Sequence, residues 1–197
     1  MSRQPLRSFT VPTPPTGSRH CERSEAIHDF QPHGLPRCAR SDESKQPAPL
    51  LVLGWGNLSR GDDALGPLCL AALREQLPEN LQDQVEFLDD YQLQIEHALD
   101  LMDRQRVLLI DASQSCLAPF QVTELQAVQD ASFTTHALSP QALLQVYQDV
   151  QGTPPPPCTL LAIRGEQFEL GAPPSPAALA HLTSALAWAG QWLLGTH

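Results

Sequence analysis

The sequence has no apolar stretch approaching the ~18 residues that a membrane-spanning helix requires. Its first residues contain neither the apolar segment of a secretory signal nor a twin-arginine motif. The five cysteines are an odd number without a C-x-x-C pair, so neither a disulfide framework nor a structural zinc motif is predicted. Together these absences predict a reduced, cytoplasmic protein that does not bind membranes.

Basic residues are scarce after residue 49. Seven of the 12 Lys and Arg residues precede it, whereas 17 of the 22 Asp and Glu residues follow it. The later part of the chain therefore has a formal charge of −12. Because nucleic-acid binding needs Lys and Arg contacts with phosphates, this charge argues against a nucleic-acid partner. A cation or a basic segment of a partner protein is more compatible.

Residues 1–48 differ in composition from the rest of the chain. They contain seven prolines, scattered charges and no sustained hydrophobic period, which predicts a disordered extension. A translation start between Gln46 and Leu50 would leave the following part intact, and the extension would then not belong to the native protein. Residues 49–197 are predicted to form one domain.

The most informative stretch is LLVLGWGNLSRGDDALG, residues 50–66. Its leading apolar run predicts a strand buried on both faces, and two glycines one residue apart predict a sharp turn. Asp62 and Asp63 follow where a helix should begin. A dinucleotide-binding turn would have a third glycine in place of Ser59 and no carboxylates where phosphate charge lies. The acidic pair therefore fits either the common role of capping the helix or a cation site.

Strand and helix patterns alternate after this stretch. Their order, β-α-β-α-β-β-α-β-α, predicts a single-domain α/β fold. Its sheet should be twisted and mostly parallel, with about five strands and with helices on both faces. The predicted elements after the first helix are a strand at 84–89, a helix at about 93–102, a strand at 107–110 and the edge strand at 118–126. Ser-Pro pairs at 139–140 and 175–176 predict the starts of two later helices.

Acidic residues and a histidine follow the predicted strands. Asp89 ends the second strand, Asp111 ends the third, and His136 lies just ahead of a helix that a Ser-Pro pair begins. Ligands bind at the carboxyl edge of such sheets, so Asp63, Asp111 and His136 are predicted to converge there. The ordinary alternatives are a loop cap for Asp111 and a solvated side chain for His136.

Two carboxylates and an imidazole form a mixed oxygen and nitrogen ligand set. Such a set suits nickel, zinc or iron and leaves coordination positions open for substrate or water. Asp62 and Asp89 are further candidates for proton transfer or for orienting the ligands. No G-x-S-x-G motif, H-E-x-x-H motif or Cys/His pair supports a serine, zinc or cysteine protease mechanism.

Several segments together resemble the hydrogenase maturation proteases, which trim the large subunit of nickel-iron hydrogenases. GWGNLSRGDDALG is similar to their N-terminal signature, and the resemblance covers about residues 50–195. The branch that serves NAD-linked bidirectional hydrogenases is the most similar, through YQLQIEHALDL, IDASQSCLAPF, THALSPQALL and AIRGEQFELG. The chain departs from many members where Asp90 and Tyr91 replace a glycine pair and where Ala64 replaces a common glycine. Asp63 takes a place that is Glu in some relatives.

The resemblance implies that Asp63, Asp111 and His136 bind nickel, with Asp62 and Asp89 at two further acidic positions of the family. It implies an aspartic-type, metal-recognising endopeptidase that acts as a monomer. Its partner would be the nickel-loaded precursor of the hydrogenase large subunit, which presents the nickel and loses a C-terminal extension. Two other classes stay open: a non-catalytic nickel-binding or chaperone protein with the same ligands, and a nucleotide-binding α/β module, which should lack the acidic pair.

Overall fold

A computed structural model describes residues 46–128 and 138–195 of the chain. His136 and most of the predicted N-terminal extension lie outside the described residues. Within these ranges the strands form one five-stranded sheet. The strands are β1 (Leu50–Trp55), β2 (Val85–Asp90), β3 (Arg106–Ser113), β4 (Phe120–Leu125) and β5 (Cys158–Arg164), and the helices are α1 (Leu65–Gln76), α2 (Pro140–Gln151) and α3 (Pro176–Leu194).

The sheet is mixed and mostly parallel, as predicted. Its strand order is β2-β1-β3-β5-β4, and only the edge strand β4 runs antiparallel to its neighbour. From β1 the chain first moves to β2 on one side and then to β3 on the other. The order therefore reverses between β1 and β3, and in open α/β sheets ligands commonly bind at the carboxyl ends of the strands at such a point.

Apolar side chains of alternate strand positions build a core on each face of the sheet. Val52 and Ile110 point to the face that α1 and α3 cover, whereas Leu51 and Leu109 point to the face that α2 covers. All four side chains are fully buried. The prediction of helices on both faces is confirmed, and so is the continuous burial of the first strand.

The second strand and the edge strand differ from their predicted bounds by one or two residues, so that β2 ends at Asp90 rather than Asp89, and three other differences are larger. The helix expected at 93–102 is only a 3₁₀ turn at Ile95–Ala98, and the chain turns away at Asp103, which has a φ of 59°. The third strand is longer than 107–110 because it pairs with β5 as far as Ser113. Asp111 therefore lies within β3 rather than after it. The acidic pair lies in a separate 3₁₀ turn, Gly61–Ala64, that precedes α1.

The predicted Ser-Pro helix starts are confirmed. The Ser139 hydroxyl accepts a hydrogen bond from the Ala142 amide at 3.1 Å, and the Ser175 hydroxyl accepts one from the Ala178 amide at 3.2 Å. Each bond satisfies an amide that the first turn of a helix leaves without a partner. Among the described helices, none combines the length and the apolar character that crossing a bilayer would need.

Candidate metal-binding edge of the sheet

The glycine turn after β1 brings the acidic pair back over the sheet. Gly56 has a φ of +141°, and a Cβ atom at this position would collide with the carbonyl oxygen of Asp63. A Cβ atom on Gly66 would likewise collide with the Trp55 carbonyl oxygen and would lie 3.0 Å from that of Ile110. Only glycine permits this close packing. The 3₁₀ turn with Asp63 is thereby held against the ends of β1 and β3.

Asp63 lies at this edge as a partly exposed carboxylate. One of its oxygens, Oδ2, accepts a hydrogen bond from the Asn57 backbone amide at 3.1 Å. The bond joins the glycine turn to the 3₁₀ turn and fixes the direction of the carboxylate. Asp63 is thus oriented by the backbone and still accessible to a ligand.

Asp111 approaches the same point from β3. Its Oδ1 accepts a hydrogen bond from the Ala112 amide at 2.8 Å, and it also accepts one from the Trp55 side chain. Burial raises the pKa of Asp111 to about 7, and the nearby charge of Asp63 adds to the rise, whereas the two hydrogen bonds oppose it. The structure therefore brings Asp63 and Asp111 together, and it gives Asp111 a pKa close to neutrality.

Two carboxylates at one partly buried position repel each other when both are ionised. A divalent cation between them would remove this repulsion, and carboxylate oxygens are ligands that such cations accept. No group of three His, Cys, Asp or Glu side chains suited to a metal occurs in residues 46–128 and 138–195. The predicted third ligand, His136, lies outside those ranges, so the described part of the site consists of Asp63 and Asp111.

Asp62 points away from this pair and is fully buried. Its carboxylate accepts hydrogen bonds from the Glu166 amide at 2.7 Å, the Gln167 amide at 2.9 Å and the Ser175 amide and hydroxyl at 2.6 and 3.0 Å. Burial alone would raise the pKa of Asp62, but these bonds to the charged form lower it below its ordinary value. The geometry favours a structural role for Asp62, and a role in proton transfer stays a prediction.

The bonds of Asp62 are part of a wider junction with the loop that follows β5, residues 165–175. The Asp62 amide donates to the Gln167 carbonyl oxygen at 2.7 Å, the Gly61 amide donates to that of Ala172 at 3.0 Å, and the Gly171 amide donates to that of Ser59 at 2.7 Å. Sequence patterns did not predict this junction. The signal available was the resemblance of AIRGEQFELG, whose last seven residues lie in the same loop.

The other predicted acidic residue, Asp89, lies on the surface. Its side chain is 59% exposed and is 3.8 Å from the guanidinium of Arg74. Its neighbour Asp90 instead binds the loop beyond β2, since its Oδ2 lies 3.1 Å from Gln94 Nε2 and 3.4 Å from His97 Nε2. The sequence did not predict that Asp90 contacts this loop. Two adjacent strand residues point to opposite faces, and periodicity did not decide which of them faces the loop.

The glycine turn offers little to a phosphate group. Its Asn57 amide donates to Asp63, and the amide of Asp63 itself donates to the Arg60 carbonyl oxygen at 3.1 Å. These donors are therefore already used within the protein. A separate cavity of about 260 Å³ lies at the amino ends of the parallel strands, away from the acidic pair, and is lined by Arg106, Glu124, Pro157, Thr159, Trp188 and Trp192.

The fold around this acidic edge is that of the hydrogenase maturation endopeptidases. The hydrogenase maturating endopeptidase HybD from Escherichia coli is 26% identical to the chain, with a TM-score of 0.59 over 75% of this chain and 93% of HybD. An endopeptidase from Escherichia coli is 27% identical, with a TM-score of 0.54 over 74% of this chain and 93% of its own. The [NiFe] hydrogenase maturation protease HycI from Thermococcus kodakarensis KOD1 shares the fold at 19% identity, with a TM-score of 0.58 over 77% and 95%.

Comparison by sequence gives less. No family model matches the chain, and no curated protein matches it.

Proposed function

We propose that the chain is an endopeptidase of hydrogenase maturation that removes the C-terminal extension of the nickel-loaded large-subunit precursor. The observation that supports this most is the convergence of Asp63 and Asp111 at the carboxyl edge of the sheet, in a fold matching proteins named for that activity. His136 is the proposed third ligand. An acidic edge also suits the formal charge of −12 after residue 49, since it attracts a bound cation.

The nickel ion is part of the substrate in this proposal. Two carboxylates and one imidazole bind a free cation only modestly, and the precursor supplies further ligands when it presents its own nickel. The protein then gains binding free energy with the loaded precursor that it does not gain with the nickel-free one. The pKa of Asp111 is raised to about 7, so near neutral pH a fraction of the molecules carries a proton on this carboxyl. Binding of the cation displaces that proton.

Further details of the proposal come from the resemblance of individual segments. The segments YQLQIEHALDL and THALSPQALL favour a precursor from an NAD-linked bidirectional hydrogenase. The composition favours action in the cytoplasm, and the resemblance favours a monomer. Nickel can serve as the feature that is recognised, as a Lewis acid on the cleaved carbonyl, or as both.

The proposal is tested by incubating the full chain with nickel-loaded and nickel-free precursor and following the loss of the C-terminal extension by mass spectrometry. Cleavage of the loaded precursor alone is expected. Asp63→Asn, Asp111→Asn and His136→Ala should each abolish it. Asp149→Asn is the matched control. Asp149 lies on α2 and its carboxylate accepts a hydrogen bond from Gln145, so the substitution removes the same charge without changing a proposed ligand.

Other outcomes separate the remaining functions. Tight binding of the nickel-loaded precursor without cleavage would support the non-catalytic chaperone instead. Equal cleavage of both precursors would contradict recognition of nickel. Absence of both binding and cleavage would overturn the proposal.

A further inference from the structure

Asn57 joins Asp63 to the loop beyond β2. Its backbone amide donates to Asp63 Oδ2, and its side-chain Oδ1 accepts a hydrogen bond from the Ser59 amide at 2.9 Å. Because a backbone amide can only donate, the oxygen of the side chain must face Ser59 and the nitrogen must face the other way. That nitrogen, Nδ2, donates to the Tyr91 hydroxyl at 2.8 Å. Asn57 therefore sets the position of the Tyr91 hydroxyl relative to Asp63.

The backbone of Tyr91 is fixed as well. Its amide donates to the Asp90 carboxylate at 2.5 Å, and the Asp90 carbonyl oxygen accepts from the Gly56 amide at 3.1 Å. Asp90 also lies within reach of Gln94 and His97. These contacts hold the first residue after β2 at the same edge as the glycine turn. Tyr91 as a residue nevertheless remains 63% exposed, so a partner can reach it.

The groups at this edge differ in what they offer a peptide. When they bind a cation, the carboxylates of Asp63 and Asp111 are ionised, so they accept hydrogen bonds but cannot donate one to a peptide carbonyl. The Tyr91 oxygen accepts from Asn57 and therefore still has its own proton to donate. A peptide segment that lies beside Asp63 and Asp111 has backbone carbonyl oxygens that need hydrogen-bond donors once they leave water.

We infer that the Tyr91 hydroxyl, held by Asn57, donates a hydrogen bond to a backbone carbonyl oxygen of the precursor segment that binds beside Asp63. The inference rests on the proposed function and adds a substrate-binding residue to it.

The test compares Tyr91→Phe with the wild type in binding and cleavage of nickel-loaded precursor. The substitution keeps the ring and removes only the donor. Loss of one neutral hydrogen bond predicts a Kd and a KM about 5- to 10-fold higher, with kcat changed less than about twofold because the contact is already made in the bound substrate. Tyr147→Phe is the control, since Tyr147 is the other tyrosine of the chain and is buried on α2.

A second measurement does not depend on activity. In NMR spectra the side-chain amide resonances of Asn57 should shift in Tyr91→Phe and stay in place in Tyr147→Phe. Normal Kd and KM for Tyr91→Phe beside an active wild type would overturn the inference alone. A wild type that neither binds nor cleaves the loaded precursor would overturn the inference and the proposed function together.

Discussion

Replacing Asp111 with asparagine is expected to stabilise the metal-free protein above neutral pH while weakening its cation binding. Asparagine keeps a carbonyl oxygen that can accept from the Ala112 amide, which lies 2.8 Å from the present carboxylate. It removes the charge that burial and Asp63 disfavour. The native carboxylate thus destabilises the metal-free fold at the position where a cation would use it.

The size of the effect follows from the pKa. In the unfolded chain Asp111 ionises near 3.8, whereas burial and Asp63 raise its pKa in the folded protein to about 7. The folded state therefore holds the proton more tightly, and the stability that this provides is present below pH 3.8 and is lost as pH rises through 7. The full difference corresponds to about 4 kcal/mol at 1.36 kcal/mol per pH unit. Because Asp111 is partly exposed, solvent screens its charge, and we expect about half of this free-energy difference.

Thermal unfolding with EDTA at pH 5 and pH 8 measures this difference. About 2 kcal/mol at pH 8 corresponds to a Tm higher by about 4–8 °C for Asp111→Asn, and the gain should be less than half as large at pH 5. Nickel affinity, measured by calorimetry at pH 8, should fall at least about tenfold. An equal Tm gain at both pH values, or a loss at pH 8, would show that Asp111 is not a destabilising buried charge.

Three further changes test other parts of the structure. Asp62→Ala should lower the free energy of unfolding in urea by about 3–5 kcal/mol, because it leaves buried amides without their acceptor; a loss below about 1 kcal/mol would refute the anchoring role. Gly56→Ala should lower Tm and abolish nickel binding, since its Cβ atom would collide with the Asp63 carbonyl oxygen, and unchanged binding would contradict that packing. Deleting residues 1–46 should leave the cleavage rate unchanged, whereas a deletion through Pro49 should destabilise the fold, because its carbonyl oxygen accepts from the Gln105 amide at 2.7 Å; an inactive but soluble 1–46 deletion would refute the prediction of a disordered extension.

The sheet could be predicted from the sequence because its strands have simple hydrophobic patterns. The continuous apolar run of β1 predicts burial on both faces, and the alternating pattern of β4 predicts an edge strand, and both are found. Ser139 and Ser175 predict helix starts through local hydrogen bonds that need no distant partner. Local chemistry thus determined these parts of the fold.

The candidate site could be predicted only in part because its contacts join distant segments. Asp63 and Asp111 were predicted to meet since strand order places their elements side by side. The two carboxylates of the acidic pair look alike in sequence, but contacts more than 100 residues away give Asp62 a buried position. Asn57 and Tyr91, 34 residues apart, form a bond that no local pattern reveals. Side-chain direction at such a junction depends on tertiary contacts.

A crystal structure of the full chain with nickel tests the central claim most directly. Anomalous scattering should locate one nickel ion within about 2.5 Å of a carboxylate oxygen of Asp63, a carboxylate oxygen of Asp111 and an imidazole nitrogen of His136. The same crystals of Asp149→Asn should show the ion unchanged. A nickel ion bound elsewhere, with Asp63 and Asp111 left without it at saturating concentration, would contradict the account.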